Sequence, residues 1–345
     1  MSSTHTKKVT IKSIAEAMGV SFSTVSKSLN GTPGINAETR AQVVEKAREM
    51  GYSPNLFARG LRTNSIKSIA IIFNDIENPV LAYIFKTISV TMARHGYTTQ
   101  ICDSQFDVEA ERFSIQAATS RMTDYVIIAP ATNDPANLDL LLASDSNVIV
   151  FDRARHGAHC HFIDVDYAYG GYVAACELLS KGHRDILIVS EPLEYPYSSY
   201  YTDGIKKAFD EYKIPFRSEY QRFVHSSMEN TCSIMLSLWD HGRHAFKLPF
   251  TAVMCFGDNF ALGVYKAAAQ LGLSVPGDIS VVGFDDNEYC EFTTPPLTSV
   301  RLPRERMAKT CIDILEADLI ASEPAGYSFS LSPHLMGRGS VKAVY

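Results

Sequence analysis

From Ile69 onward, short unbroken apolar runs alternate with longer stretches of helical periodicity, and this alternation constrains the fold more than any other feature. The runs lie at 68–73 (SIAIIF), 97–102, 125–129 (YVIIA), 147–151 (NVIVF), 186–190 (ILIVS), 251–256 (TAVMCF) and 280–284. Helical stretches fall near 79–95, 107–120, 135–144, 167–181, 198–213, 229–240 and 258–271. A strand apolar on both faces must be covered on both faces, which the crossover helices of a parallel sheet do. The rhythm restarts near residue 162, so we expect two doubly wound parallel sheets rather than one. Ligands of such sheets bind beyond the carboxyl ends of the strands.

The first fifty residues follow another pattern. Thr10, Ser21 and Asn36 can each cap a helix. Ile11, Ile14, Ala15 and Met18 form one apolar face, Val25 and Leu29 a second, and Val43, Val44, Ala47 and Met50 a third. Gly19, the Asn30–Gly34 breaker cluster and Gly51 end these helices. Two short helices joined by a tight turn and braced by a third make a helix-turn-helix, whose second helix can enter the major groove of DNA.

Charge is segregated in the same way. Residues 1–65 hold nine Lys and Arg against four acids, a net +5, whereas the remainder holds 23 bases against 34 acids, a net −11. A basic head can neutralise phosphates while an acidic body avoids them. The N-terminus lacks the apolar stretch of a secretory signal, and no apolar run reaches the roughly 18 residues of a membrane span. We therefore expect a cytoplasmic protein with no membrane partner. Seven cysteines, with no C-x-x-C pair, read as reduced thiols. His156, His159, Cys160 and His161 lack structural-zinc spacing and read as a solvated loop. There is no G-x-S-x-G, phosphate-binding loop or H-E-x-x-H. The adjacent Asp285 and Asp286 should point to opposite faces of a strand, so they make no acid/base dyad. We expect no enzyme, cofactor or metal.

Several stretches carry a family resemblance. They are VTIKSIAEAMGVSFSTVSKSLNG (9–31), ETRAQVVEKAREMGYSPNLFARGLRT (38–63), DIENP (75–79), FDR (151–153), Gly170–Gly171, KGHRDI (181–186), VPGDISVVGFDD (275–286) and PPLTSVR (295–301). In this order and at these intervals the chain resembles the lactose-repressor/galactose-repressor family of transcriptional regulators. The resemblance implies a helix-turn-helix head at 1–52, a hinge helix at 53–66 and a periplasmic-binding-protein-like body at 67–345. The N-lobe would take 67–164 plus 296–325, and the C-lobe 165–295 plus 326–345. The chain would cross between lobes near 162–165, 292–297 and 324–328.

It also implies site residues. Phe22, Ser23 and Lys27 stand where the family reads bases, although Phe22 also matches core spacing with Val25 and Leu29. Lys27 replaces the more usual arginine, whose fork fits guanine better. Thr10, Ser21, Thr24, Ser26 and Asn30 would bond phosphates, and Thr10 and Ser21 cap helices as well. Leu61 would wedge into the minor groove, supported by Tyr52, Asn55 and Ala58. Gly60 weakens that hinge helix, which is too short to hold without DNA and a second subunit.

In the body, strand ends offer Asp75, Asn78, Val80, Leu81, Ala129, Ala131, Asp152 and Arg153, then Tyr195, Tyr197, Tyr201, Asp258 and Asp285 as effector contacts. Asp258 also reads as a helix cap, and Arg153 as an ion pair with Asp152 or Asp164. Tyr201 stands where many relatives carry an effector-binding arginine. The tyrosine-rich loop favours a neutral sugar or nucleoside over an anion. Partners would be a near-palindromic operator, the effector and a second copy, paired along helices near 79–95 and 107–120. With no further heptad helix after the last strand, a dimer is expected over a tetramer. The alternative is a solute-binding protein of a transport system, against which the basic head and missing signal argue.

Overall fold

The computed structural model describes residues 9–52, 65–121, 123–132, 134–144, 146–152, 160–225, 227–320 and 326–344. It forms two compact units, Met1–Ile66 and Lys67–Tyr345.

The head has three helices: α1 (Ile11–Met18), α2 (Phe22–Leu29) and α3 (Ala37–Glu49). Thr10 Oγ1 accepts from the Ser13 N–H at 3.2 Å, and Ser13 Oγ accepts from the Thr10 N–H at 2.9 Å, a reciprocal cap. Ser21 caps α2 at 3.0 Å through the Thr24 N–H, and Asn36 caps α3 at 2.7 Å through the Thr39 N–H. Gly19 takes the left-handed φ of 66° that ends α1. Ile14, Ala15, Val25, Val43 and Ala47 form a small buried core ringed by Leu29, Met50 and Tyr52, among others. Val44 departs from expectation. It is 49% exposed, because one position beyond Val43 turns it about 100° away from the core. The expected hinge at 53–66, with Asn55, Ala58 and Leu61, falls outside the described residues except for Ser65 and Ile66.

In the body, the first lobe is built from β1 (Ser68–Phe73), α4 (Pro79–Arg94), β2 (Thr98–Asp103), α5 (Val108–Ser120), β3 (Tyr125–Ile128), α6 (Ala136–Leu142), β4 (Asn147–Phe151) and β5 (Cys160–Val165). The second follows with α7 (Tyr167–Ser180), β6 (Ile186–Ser190), α8 (Pro196–Glu211), β7 (Gln221–Phe223), α9 (Met228–Ser237), a small hairpin of β8 (Trp239–Asp240) and β9 (Ala245–Phe246), β10 (Ala252–Cys255), α10 (Asp258–Leu271), β11 (Ser280–Asp285) and β12 (Thr298–Arg301). The chain then returns to the first lobe with α11 (Arg304–Asp318), which packs against α4, and β13 (Ser328–Leu331), before β14 (His334–Met336) closes the second. The sheets run β13-β5-β4-β3-β1-β2 and β14-β12-β11-β10-β6-β7. The first is wholly parallel, and the second is parallel except at β14, which runs antiparallel to β12.

Two expected lobe boundaries are corrected by this topology. β12 pairs with β11, so residues 298–301 belong to the second lobe, and β13 pairs with β5, so residues 328–331 belong to the first. The later crossings therefore fall near 302 and 332. Neither TSVR nor SFSL has the continuous apolar character that marked the other strands. Cys160 and His161 also leave the expected loop and open β5. The His161 ring is buried, 3.2 Å from Asp318 and stacked on Tyr327.

One close approach shapes the second lobe. A Cβ on Gly171 would sit 2.2 Å from the Tyr201 carbonyl oxygen, and one on Gly204 would sit 1.8 Å from that of Ala168. Only glycine lets α7 and α8 meet at this distance, and the meeting drives Tyr201 into the core.

Candidate functional site

The head presents one face of α2 to solvent. Phe22 is 57% exposed and Ser23 and Lys27 are exposed, while Val25 is fully buried. The core alternative for Phe22 is therefore not taken up. Residues 23 and 27 are four apart and share a face one turn long. Thr10, Ser21 and Asn30 are exposed at helix ends, and Thr24 and Tyr52 are half-buried. Ser26 departs from expectation: it is buried, with its hydroxyl 3.5 Å from Asn30 Nδ2, because it follows Val25 on the inward side of α2.

In the body, the chain between lobes lines a cleft enclosing about 730 Å³ of space, counting its open mouth. The first lobe contributes Asn74 and Asp75 after β1, Asn78, Val80 and Leu81 at the start of α4, Phe106 after β2, Asp152 after β4, and Met307 on α11. The second contributes Tyr167, Glu191 after β6, Tyr197, Phe256 and Gly257 after β10, Asn259, Phe284 and Asp285. Leu302 sits at a crossing. The carboxyl-end rule for open sheets thus selects most of these positions.

Aromatic faces form the walls. Phe106 stacks on Tyr195 at 4.4 Å between ring centroids, joining the two lobes, and lies 6.5 Å from Tyr197. Tyr167 stacks on Phe284, and Phe256 lies 5.5 Å from Tyr197. A second interlobe contact is polar: the Tyr167 hydroxyl donates to Asp152 Oδ1 at 2.9 Å.

Four carboxylates converge on this space. Burial pushes Asp152 up to about 7, with Asp164 repelling it further and the Tyr167 hydroxyl partly offsetting the rise. Burial also raises Asp75, against a compensating bond from the Glu77 N–H at 2.9 Å. Asp285 is driven well above the usual carboxyl range by burial and then by the charges of Asp258, Glu191, Asp75 and Asp152. Its neighbour Asp286 faces away, bonded to Arg301 Nε at 2.6 Å and to Arg338 Nη1 at 2.5 Å. Asp152 and Asp285 both hold left-handed backbone, with φ of 59° and 97°.

Of the expected effector residues, the structure brings Asp75, Asn78, Val80, Leu81, Asp152, Tyr197 and Asp285 together. Tyr195 is not on the lining itself, but buttresses it through Phe106. Ala129 and Ala131 are fully buried, and the Ala131 N–H is held by the Glu111 carboxylate. Tyr201 is fully buried with its ring on Phe256 at 4.3 Å, so it acts behind the wall and not in it. Asp258 is a structural acceptor, taking the Ser299 hydroxyl at 2.6 Å and the Asn287 N–H at 2.7 Å. Arg153 lies outside the described residues. Sequence reasoning missed Phe106, Tyr167, Glu191, Phe256 and Phe284 as lining residues. Among these, Glu191 directly follows the last residue of an apolar strand, a signal that could have found it.

Comparisons with known proteins follow this division of the chain. A family model for bacterial regulatory proteins of the lacI family matches residues 10–55, and one for a periplasmic binding protein-like domain matches residues 175–341. The chain is 32% identical over 337 residues to the HTH-type transcriptional repressor PurR of Proteus mirabilis (strain HI4320), covering 96% of each. It is 33% identical over 336 residues to the PurR of Pectobacterium atrosepticum, again covering 96% of each. The fold is shared with a lac repressor dimer bound to operator and the anti-inducer ONPF, at a TM-score of 0.81 and 23% identity over 98% of this chain and 100% of that one. No helix among the described residues is long and apolar enough to cross a membrane. The chain belongs to the lacI family of bacterial DNA-binding transcriptional repressors, and is a regulator and not an enzyme.

Proposed function

We propose that this repressor binds a near-palindromic operator as a homodimer in the cytoplasm, and that a small effector held between the two lobes sets its operator affinity. The observation that carries the reading is the exposed face of α2, where Phe22, Ser23 and Lys27 stand clear of the head's core. Lys27 donates to guanine or to phosphate, and Phe22 meets a thymine methyl. Thr10, Ser21, Thr24 and Asn30 hold phosphates and fix register. Tyr52, Asn55 and Ala58 support Leu61 as a minor-groove wedge. Dimerisation along α4 and α5 is supported by Val90 and Phe113, which are 55% and 73% exposed on those helices.

The effector reading rests on the cleft. Three crossings joining two lobes allow closure, and a ligand touching both lobes favours the closed state by its differential affinity. The aromatic walls suit the ring of a sugar or nucleoside, and the four carboxylates oppose an anion. Duplexes selected from a random library should be retained in a gel shift that weakens steeply with salt and responds to the effector. Failure to retain any duplex at low ionic strength refutes the reading.

A further inference from the structure

We propose that Phe106 is a latch of the effector cleft: it reaches from the first lobe onto Tyr195 of the second, and this stack sets how far the lobes stand closed when the cleft is empty. The inference deepens the effector reading above and rests on it. Two observations carry it. The first is the turn that holds Phe106. Gln105 and Phe106, between β2 and α5, both take left-handed backbone, at φ of 51° and 58°. Neither is glycine, asparagine or aspartate, the residues that adopt this conformation most readily, so both positions are strained. Four bonds hold the turn in place nonetheless. The Ser104 N–H donates to the Phe73 carbonyl at 2.9 Å, and the Phe106 N–H to the Asn74 carbonyl at 3.2 Å. The Asp107 N–H donates to the Ser104 carbonyl at 2.8 Å, and the Gln105 N–H to Asp103 Oδ1 at 3.2 Å. Strain that the surroundings enforce in this way points to a side chain whose direction matters.

The second observation is what Phe106 meets. Its ring stacks on Tyr195 at 4.4 Å with 22° between the planes, and lies edge-on to Tyr197 at 6.5 Å. Tyr195 is itself held from behind: it is 5% exposed, and its hydroxyl lies 3.1 Å from His225 Nδ1, beyond the end of β7. A ring on a pinned turn of one lobe thus meets a ring packed into the other. A rotation of the lobes about the crossings that carries residue 106 away from residue 195 gives up this contact, so the stack favours closure. An aromatic pair biases such an equilibrium by about threefold to tenfold. That is enough to set the starting population of closed cleft and too little to lock it, which leaves room for a ligand touching both lobes to complete the shift.

The test needs no effector. Hydrogen exchange of the full-length protein is compared for the parent, Phe106→Ala, Tyr195→Ala, the double variant and Phe106→Tyr, which keeps the ring. Losing either ring should speed exchange at least about threefold at the Asp166 and Arg304 amides, which are bonded to the Leu331 and Leu302 carbonyls where the chain passes between lobes. The Val253 and Met254 amides inside β10 should exchange as in the parent. The double variant should exchange no faster than the faster single one, because both remove the same contact, and Phe106→Tyr should match the parent. Unchanged exchange at the crossings, additive effects of the two single variants, or a Phe106→Tyr variant that behaves like Phe106→Ala overturns the proposal. Faster exchange in β10 in step with the crossings assigns the effect to general loosening and overturns it as well. Retention of selected duplex DNA by Phe106→Ala should differ from the parent by at least about threefold. Unchanged retention beside faster exchange at the crossings upholds the latch and refutes its part in regulation, whereas a parent that retains no duplex refutes the operator reading and leaves the latch standing.

Discussion

Replacing Asp152 with asparagine should stabilise the ligand-free protein, and by an amount that depends on pH. Asp152 is almost fully buried after β4, and burial raises its carboxyl to about 7. An unfolded aspartate titrates at about 4. The folded protein therefore binds this proton more tightly than the unfolded chain. Below about pH 4 both states are protonated and the contribution is complete. As pH rises toward about 7, the unfolded chain has lost its proton while the native one keeps it, so stability falls. Above about 7 both are ionised and the loss is complete. At about 1.4 kcal/mol for each tenfold difference in proton affinity, the loss is about 4 kcal/mol. Asparagine does not titrate, tolerates the left-handed φ of 59°, and still accepts from the Tyr167 hydroxyl. Asp152→Asn should thus match the parent near pH 4.5 and exceed it by about 4 kcal/mol at pH 8, a rise in Tm of about 8 °C. Urea unfolding followed by the single tryptophan, Trp239, reads the difference at pH 4.5, 6, 7 and 8. A gain that does not change with pH, or a variant less stable than the parent at pH 8, refutes the assignment of Asp152 as a carboxylate raised by burial.

Three further substitutions probe other levels of the structure. Gly204→Ala places a methyl 1.8 Å from the Ala168 carbonyl oxygen, forcing α7 and α8 apart, and should cost about 3 kcal/mol or more by urea unfolding; an unchanged midpoint contradicts the close crossing. Val25→Ala hollows a head core built on five buried residues and should cost the head about 2 kcal/mol, lowering duplex retention while leaving the melting of the body unchanged. Lys27→Ala, on the exposed face of α2, should leave thermal stability within about 0.5 kcal/mol of the parent. It should either reduce the salt slope of DNA binding by about one, if Lys27 meets phosphate, or relax preference at one base pair, if it meets guanine. Intact affinity, slope and preference together would remove Lys27 from the interface.

What the sequence disclosed depended on how local the cause was. Capping side chains act within three residues, so Thr10, Ser21 and Asn36 could be read as helix starts before any tertiary contact was known. Strands such as SIAIIF and ILIVS are apolar throughout because both faces are covered, and they stood out for that reason. β12 and β13 did not, since TSVR and SFSL owe their place to pairing with neighbours distant in the chain. The cleft shows the same divide. Asp75, Asn78 and Asp285 are polar residues just beyond apolar runs, and that contrast marks them. Phe106, Phe256 and Phe284 look like core residues in sequence, and only the meeting of the lobes turns them into a wall. Asp258 and Tyr201 misled for the opposite reason. Each has the chemistry of a ligand contact, but Ser299 and Asn287 claim the first, and the close approach of α7 and α8 buries the second.

The cleft acids connect the stability argument to regulation. Asp152 and Asp285 sit on opposite lobes, both in left-handed backbone that costs a non-glycine residue roughly 1–3 kcal/mol, and both with carboxyls raised by burial. A chain selected only for stability would replace them with uncharged residues. Their cost is greatest when the lobes are close, because repulsion between carboxylates grows as their distance and the local dielectric fall. A ligand that neutralises them relieves a penalty specific to the closed arrangement, and so binds that arrangement more tightly than an open one. That difference in affinity is the only quantity by which a ligand can shift a conformational equilibrium. A cleft lined with neutral residues could bind an effector as tightly in both arrangements and regulate nothing, whereas acids held at this cost make occupancy and closure depend on each other.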